Sequence, residues 1–108
     1  MKNLNINQSV DLINSKKDLL ILDVRNEIEY KEDGHIKGAK LIPLNKLPLD
    51  LDEILDYENS PILVYCRRGS RSLKACEILE DNGFNNLYNM VGGYSKWVTD
   101  GGNTYLKK

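Results

Sequence analysis

The stretch that most constrains this chain runs from four apolar residues, Ile62, Leu63, Val64 and Tyr65, straight into Cys66-Arg67-Arg68-Gly69-Ser70-Arg71-Ser72. A short apolar run after Pro61, without polar alternation, has the pattern of a strand covered on both faces. Beyond the loop, the spacings 73, 76, 79 and 75, 78, 79 predict a helix. Cys66 therefore falls where a strand ends and a helix is about to begin. Such a turn aims backbone N–H groups and the positive end of a helix dipole at its centre. The side chains agree: residues 66–74 contain four cations, Arg67, Arg68, Arg71 and Lys74, and no acid. The whole chain carries 15 basic against 16 acidic residues, so this basic character is local. A reactive thiolate is expected at Cys66, beside an anion site built from Arg67, Arg68, Gly69, Ser70, Arg71 and Ser72.

Cys76 serves as an internal control. It lies with Leu73, Ala75 and Leu79 on the apolar side of the expected helix and reads as a core thiol. Two helical turns, on the order of 10 Å, separate it from the loop, too far for a disulfide to Cys66.

A length of 108 residues with 41% hydrophobic content suits one domain, 1–108, around one core. Residues 1–7 hold no apolar run long enough for a signal peptide or a membrane span. Two cysteines, spaced neither as a disulfide framework nor as a zinc site, fit a reducing cytoplasm, and neither metal nor cofactor is called for. Without an extended basic stripe, nucleic acid is not an expected partner, nor is a membrane.

Taken in order, Asn7 or Ser9 could cap a first helix with Val10 and Ile13 on its apolar side, ending near Ser15, Lys16 and Lys17. Residues 19–22 repeat the buried-strand pattern and end at Asp23. In open α/β sheets, binding residues gather beyond the carboxyl ends of the strands, which would bring Asp23 and Cys66 to one edge. Asn26 and Glu29 have the types and spacing of a capping box, a structural role for Glu29. Residues 40–44 read as a short strand ending at Pro43, and 49–57 as an acidic surface helix. The cluster Asp50, Asp52, Glu53, Asp56 and Glu58 reads as a solvated face, with docking of a basic partner as the other reading. Gly83 suits a helix C-terminus, and residues 84–90 a last strand. Gly92-Gly93 opens a final helix with Tyr94, Trp97 and Val98 facing the core; the glycines either shape a turn or let backbone approach the Cys66 loop. Alternating strands and helices argue for a mostly parallel sheet covered on both sides.

Cys-x-x-Gly-x-Arg-Ser after an apolar strand resembles the active-site loop of single-domain rhodaneses, the thiosulfate sulfurtransferase family. Leu22-Asp23-Val24-Arg25 with Glu29 and Tyr30, then Gly34-His35-Ile36-Lys37-Gly38-Ala39 and Ile42-Pro43-Leu44, resembles the family's N-terminal signature. Gly92-Gly93-Tyr94-x-x-Trp97 with Gly101 resembles the C-terminal one. The resemblance implies a single rhodanese-like three-layer α/β domain: a mostly parallel central sheet of about five strands with helices on both faces. It also implies that His35, the sole histidine, belongs to a structural motif and is not a base for Cys66.

For function, the resemblance implies a sulfurtransferase that moves sulfane sulfur from thiosulfate or a related donor to cyanide or a thiol through a persulfide on Cys66. Arg71 and, less directly, Arg67 would hold the donor's oxygens, Arg68 would face water, Gly69 would let the loop close, and Ser70 or Ser72 would donate to an oxygen or cap the helix. The expected partners are a small sulfur-containing anion and a thiol or cyanide acceptor, with a thioredoxin-like or other sulfur-relay protein as a further candidate. Two alternatives remain: a catalytically silent rhodanese-type binding module, and a phosphatase or arsenate reductase. Loop length disfavours the latter, because cysteine phosphatases place arginine at the sixth position after cysteine. Here Ser72 occupies that position and arginine falls at the fifth, Arg71.

Overall fold

In a computed structural model of the chain, residues 1–15 and 18–100 are described, with the backbone of Leu106–Lys107. The order is β1 (Lys2–Leu4), α1 (Ile6–Ser15), β2 (Leu20–Asp23), α2 (Glu27–Glu32), β3 (His35–Ile36), β4 (Lys40–Leu41), two 3₁₀ helices (Leu44–Leu49 and Leu51–Tyr57), β5 (Ile62–Tyr65), α3 (Ser70–Asp81), β6 (Leu87–Met90), α4 (Gly93–Thr99) and β7 (Leu106–Lys107). Five strands form one parallel sheet in the order β1-β6-β5-β2-β4, and β3 and β7 pair antiparallel as a separate ribbon. The two apolar tetrads are thus adjacent, with Leu22 opposite Val64 and Asp23 opposite Tyr65. Every residue of β2 and β5 is buried, as continuous apolar runs require of strands covered on both faces.

Strand alternation splits these residues between two cores. Leu20, Leu22, Ile62, Val64 and Cys66 meet Ala75, Cys76 and Leu79 of α3 and the buried Leu47 and Ile54 of the 3₁₀ segment. On the other face, Ile21, Leu63 and Tyr65 meet Ile6 and Leu12 of α1 and Tyr94 and Trp97 of α4. The three-layer α/β architecture expected from the alternating pattern is the one observed.

Several local expectations are corrected. Asn5, not Asn7 or Ser9, caps α1: its Oδ1 accepts from the Gln8 N–H at 2.8 Å, and Gln8 returns the bond to the Asn5 N–H at 2.9 Å. Ser9 is buried one turn in, donating to the Asn5 carbonyl at 2.8 Å. The expected end at Lys16 and Lys17 lies outside the described residues. The acidic helix is a pair of 3₁₀ turns, the first containing Pro48, which cannot donate a backbone hydrogen bond. Helix α3 begins at Ser70 and buries Ser72, Ala75, Cys76 and Leu79, leaving Leu73 exposed, and Val98 likewise faces outward from α4. Strand β1 had no apolar alternation to reveal it. It exists because its backbone completes the edge of β6, with Asn89 donating to Asn3 at 3.1 Å. Gly83 behaves as expected: at φ +90° it ends α3, and the Gly83 and Phe84 N–H groups donate back to Glu80 and Leu79.

Candidate active site

Strand β5 delivers Cys66 to the carboxyl edge of the sheet, and strand alternation turns its side chain toward α3. The Gly69 N–H donates to the Cys66 sulfur at 3.0 Å, and the Ser72 hydroxyl lies 3.5 Å from the same atom. Gly69 adopts φ +120°, which a side chain would strain, and is itself the residue before α3. Ser70 is therefore the first residue of the helix and does not cap it. Ser72 is buried and donates to the Gly69 carbonyl at 3.1 Å, bracing the turn from within. Cys66 is only 1% exposed, so the sulfur sits at the floor of the loop.

The back of the loop rests on α4. Tyr94 donates its N–H to the Cys66 carbonyl at 2.8 Å, and Ser95 donates to the Arg67 carbonyl at 3.0 Å. These would otherwise be unsatisfied N–H groups in the first turn of α4. Trans peptides place N–H opposite C=O, so the Arg67 and Arg68 amides face away from α4. A Cβ at Gly93 would stand 2.5 Å from the Arg67 oxygen and 2.6 Å from the Cys66 oxygen. Both readings of the glycine pair are realised: Gly92 at φ +86° and Gly93 at φ +62° shape the turn into α4, and Gly93 also makes the close backbone approach.

Asp23 does reach the same edge as Cys66, but it is sealed inside. Arg25, also fully buried, donates from Nε to both Asp23 oxygens at 3.1 Å and from Nη2 at 2.7 Å, with a further bond to the Gly34 carbonyl at 2.8 Å. Its guanidinium lies 4.3 Å from the Tyr94 ring centre, fastening α4 to β2. Burial works against the Arg25 charge, yet the Asp23 carboxylate outweighs it and holds the proton more firmly than usual. Tyr65 accepts from the Ile36 N–H at 3.2 Å, and burial keeps its phenol protonated. His35 stacks on Tyr30 with ring centres 3.7 Å apart and Nδ1 3.0 Å from the Tyr30 carbonyl, a structural role.

The rim carries the charges. Arg71 makes a two-pronged pair with Glu29, at 2.7 and 3.0 Å. Arg67 pairs with Asp33 at 3.1 Å and stands 3.9 Å from Glu29. Arg68 is exposed and enters no ion pair among the described residues, and Lys74 turns to Glu77 at 3.7 Å. Two clefts flank the loop: one of about 310 Å³ between Val24, Leu44 and Arg71, the other of about 300 Å³ between Asp33, Arg67 and Tyr94. Both cysteines are free; burial pushes the Cys76 thiol up to about 12, so it stays protonated in the core.

This geometry has counterparts in known proteins. The profile of the rhodanese-like domain matches residues 7–100. The chain belongs to the rhodanese-like family. It is 37% identical to the thiosulfate sulfurtransferase GlpE of Coxiella burnetii over 76% of its own length and 74% of that protein's. It is 40% identical to the uncharacterized protein YqhL of Bacillus subtilis over 82% of its length, but spans only 65% of that relative. The crystal structure of a rhodanese-like domain protein from Staphylococcus aureus superposes with a TM-score of 0.83 at 32% identity, covering 99% of this chain and 97% of that one.

Within this rhodanese-like chain, the Cys66 loop is assembled where the sequence placed it, but its acidic counterparts were legible only in part. Glu29 forms with Asn26 the capping box that its spacing predicts, and its grip on Arg71, 42 positions away, has no local signature. Asp33 gave no signal at all. No helix among the described residues is long and apolar enough to cross a membrane.

The Arg71 hydrogen bonds hold the Glu29 carboxyl down at about 2, against burial and with help from the Asn26 amide. A lowered carboxylate stabilises the fold fully above its ordinary value near 4.5 and loses that contribution as pH falls toward 2. Allowing for the partial exposure of Arg71, the pair is expected to contribute roughly 2 kcal/mol. Urea unfolding between pH 6 and 2 should therefore fall more steeply below about pH 4.5 for the wild type than for Glu29→Gln. Parallel curves would show that the pair adds nothing.

Proposed function

We propose that this protein is a sulfurtransferase in which Cys66 carries the transferred sulfur as a persulfide, the whole chain acting as one rhodanese-like domain. The observation that carries this reading is the 3.0 Å bond from the Gly69 N–H to a cysteine sulfur buried at the floor of a loop one residue shorter than a phosphate cradle. A floor of that kind suits a single added sulfur better than a tetrahedral phosphoryl group. The name of the 37% identical GlpE relative, thiosulfate sulfurtransferase, supports the same class of chemistry.

In the first step the Cys66 thiolate attacks the outer sulfur of thiosulfate. A new S–S bond forms, the donor's own S–S bond breaks, and sulfite leaves with the electron pair. The amides of Arg67 to Ser72 stabilise the terminal, partly anionic sulfur as fixed dipoles, the Gly69 N–H already donating to the Cys66 sulfur that carries it. Arg71 and Arg67 stand at the rim for the departing oxyanion, and exposed Arg68 adds long-range attraction. In the second step cyanide or a thiol takes the outer sulfur and returns the thiolate. The donor is thus a small sulfur-containing compound or a relay protein's persulfide, and the setting is cytoplasmic.

Intact-mass measurement checks the central intermediate. Thiosulfate is expected to add about 32 Da, one sulfur, at Cys66, and cyanide to discharge it as thiocyanate. An unchanged mass at saturating thiosulfate and with persulfide donors would leave the silent binding module as the better reading; hydrolysis of an aryl phosphate would favour the phosphatase.

A further inference from the structure

The cations that should greet an anionic donor are already engaged. Arg71 spends both terminal nitrogens on Glu29, and Arg67 is drawn to Asp33 and Glu29. Glu29 cannot simply swing aside with an incoming anion. Its Oε1 also accepts the Asn26 N–H at 3.1 Å, while Asn26 accepts the Glu29 N–H at 2.8 Å, so the side chain is pinned to the first turn of α2. Its side chain is 13% exposed, which leaves water little room to take over as a partner.

We propose that Glu29 is a specificity-determining residue that disfavours sulfur donors whose leaving group is an oxyanion and so favours persulfides, R–S–SH, as donors to Cys66. The proposal rests on the sulfurtransferase reading and deepens it. To hold the sulfonate of thiosulfate, Arg71 must surrender a two-pronged bond to a pinned carboxylate, and the donor's charge must approach that carboxylate. A persulfide presents no oxygens to be held. The Cys66 thiolate attacks its outer sulfur, a new S–S bond forms to Cys66 as the donor's own S–S bond breaks, and the thiolate RS⁻ leaves with the electron pair while the proton stays on the transferred sulfur. The Glu29–Arg71 pair stays closed throughout.

Glu29→Gln tests this, because glutamine keeps the capping amide acceptor and the shape while removing the charge. Thiosulfate and the persulfide of 2-mercaptoethanol, whose organic part is uncharged, serve as the two donors, with sulfur on Cys66 read by mass and turnover by acceptor product. The KM for thiosulfate is expected to fall about fivefold or more with kcat within about twofold, while kcat/KM for the persulfide changes by less than about twofold. Asp33→Asn, on an exposed side chain outside the Asn26–Glu29 capping box, is expected to lower the thiosulfate KM in the same direction by about twofold, and keeps the test alive if the first variant folds poorly. An unchanged thiosulfate KM in folded Glu29→Gln, or in Asp33→Asn where Glu29→Gln does not fold, or an equal gain for both donors, overturns the role of Glu29 while leaving the sulfurtransferase reading intact. Failure of both donors to place sulfur on Cys66 in the wild type overturns both.

Discussion

Cys66→Ala is expected to reduce thiosulfate-to-cyanide sulfur transfer by at least about 10³-fold, to the level of buffer, and to abolish the mass gain on incubation with donor. The expectation is this severe because no other group can substitute. Cys76, the only other thiol, is buried against α3 and kept protonated, and the described histidine is committed to Tyr30. The fold should survive, since the change deletes a single sulfur atom that among the described residues makes two hydrogen-bond contacts, with Gly69 and Ser72. Circular dichroism and thermal melting close to the wild type would confirm that the loss is chemical. Cys76→Ala supplies the control, with turnover within about twofold. Transfer that persists in Cys66→Ala, or a mass gain that moves to Cys76, would remove the basis of the proposed reaction.

Gly93→Ala is expected to be the most damaging added methyl among the described glycines, costing about 3 kcal/mol or more and collapsing activity with it. Two penalties coincide there. Gly93 sits at φ +62°, where an added Cβ is disfavoured, and the new carbon would lie within 2.6 Å of the Cys66 and Arg67 carbonyl oxygens. Those oxygens belong to backbone that Tyr94 and Ser95 hold at 2.8 and 3.0 Å, so relief requires breaking the bonds that set the loop's orientation. Gly38→Ala separates the two penalties, for Gly38 has φ +86° but open space around its Cα. That variant should lose only about 1 kcal/mol in a urea titration and retain full turnover. Equal losses at the two positions would show that the contact between α4 and the Cys66 loop is not what Gly93 protects.

The same contrast divides what was legible beforehand from what was not. By itself the sequence determined a strand at residues 19–22, observed one place further on at 20–23, the strand at 62–65, the α/β layering, the placement of Cys66 between strand and helix, and the inert character of Cys76. Each depends on chemistry within a few residues: continuous apolar runs, a helix period, glycine where the chain turns, a local excess of arginine. Tertiary structure alone decided that β1 is a strand, that Asp23 is locked to Arg25 beneath Tyr94, that Gly93 seats α4 against the loop, and that Glu29 and Asp33 occupy the arginines. Apart from the Asp23–Arg25 pair itself, two positions apart, these are contacts between residues dozens of positions apart. A carboxylate on α2 carries no mark of the guanidinium it will meet, because that meeting follows from sheet order, which brings β2 beside β5 and so sets the start of α2 against the Cys66 loop.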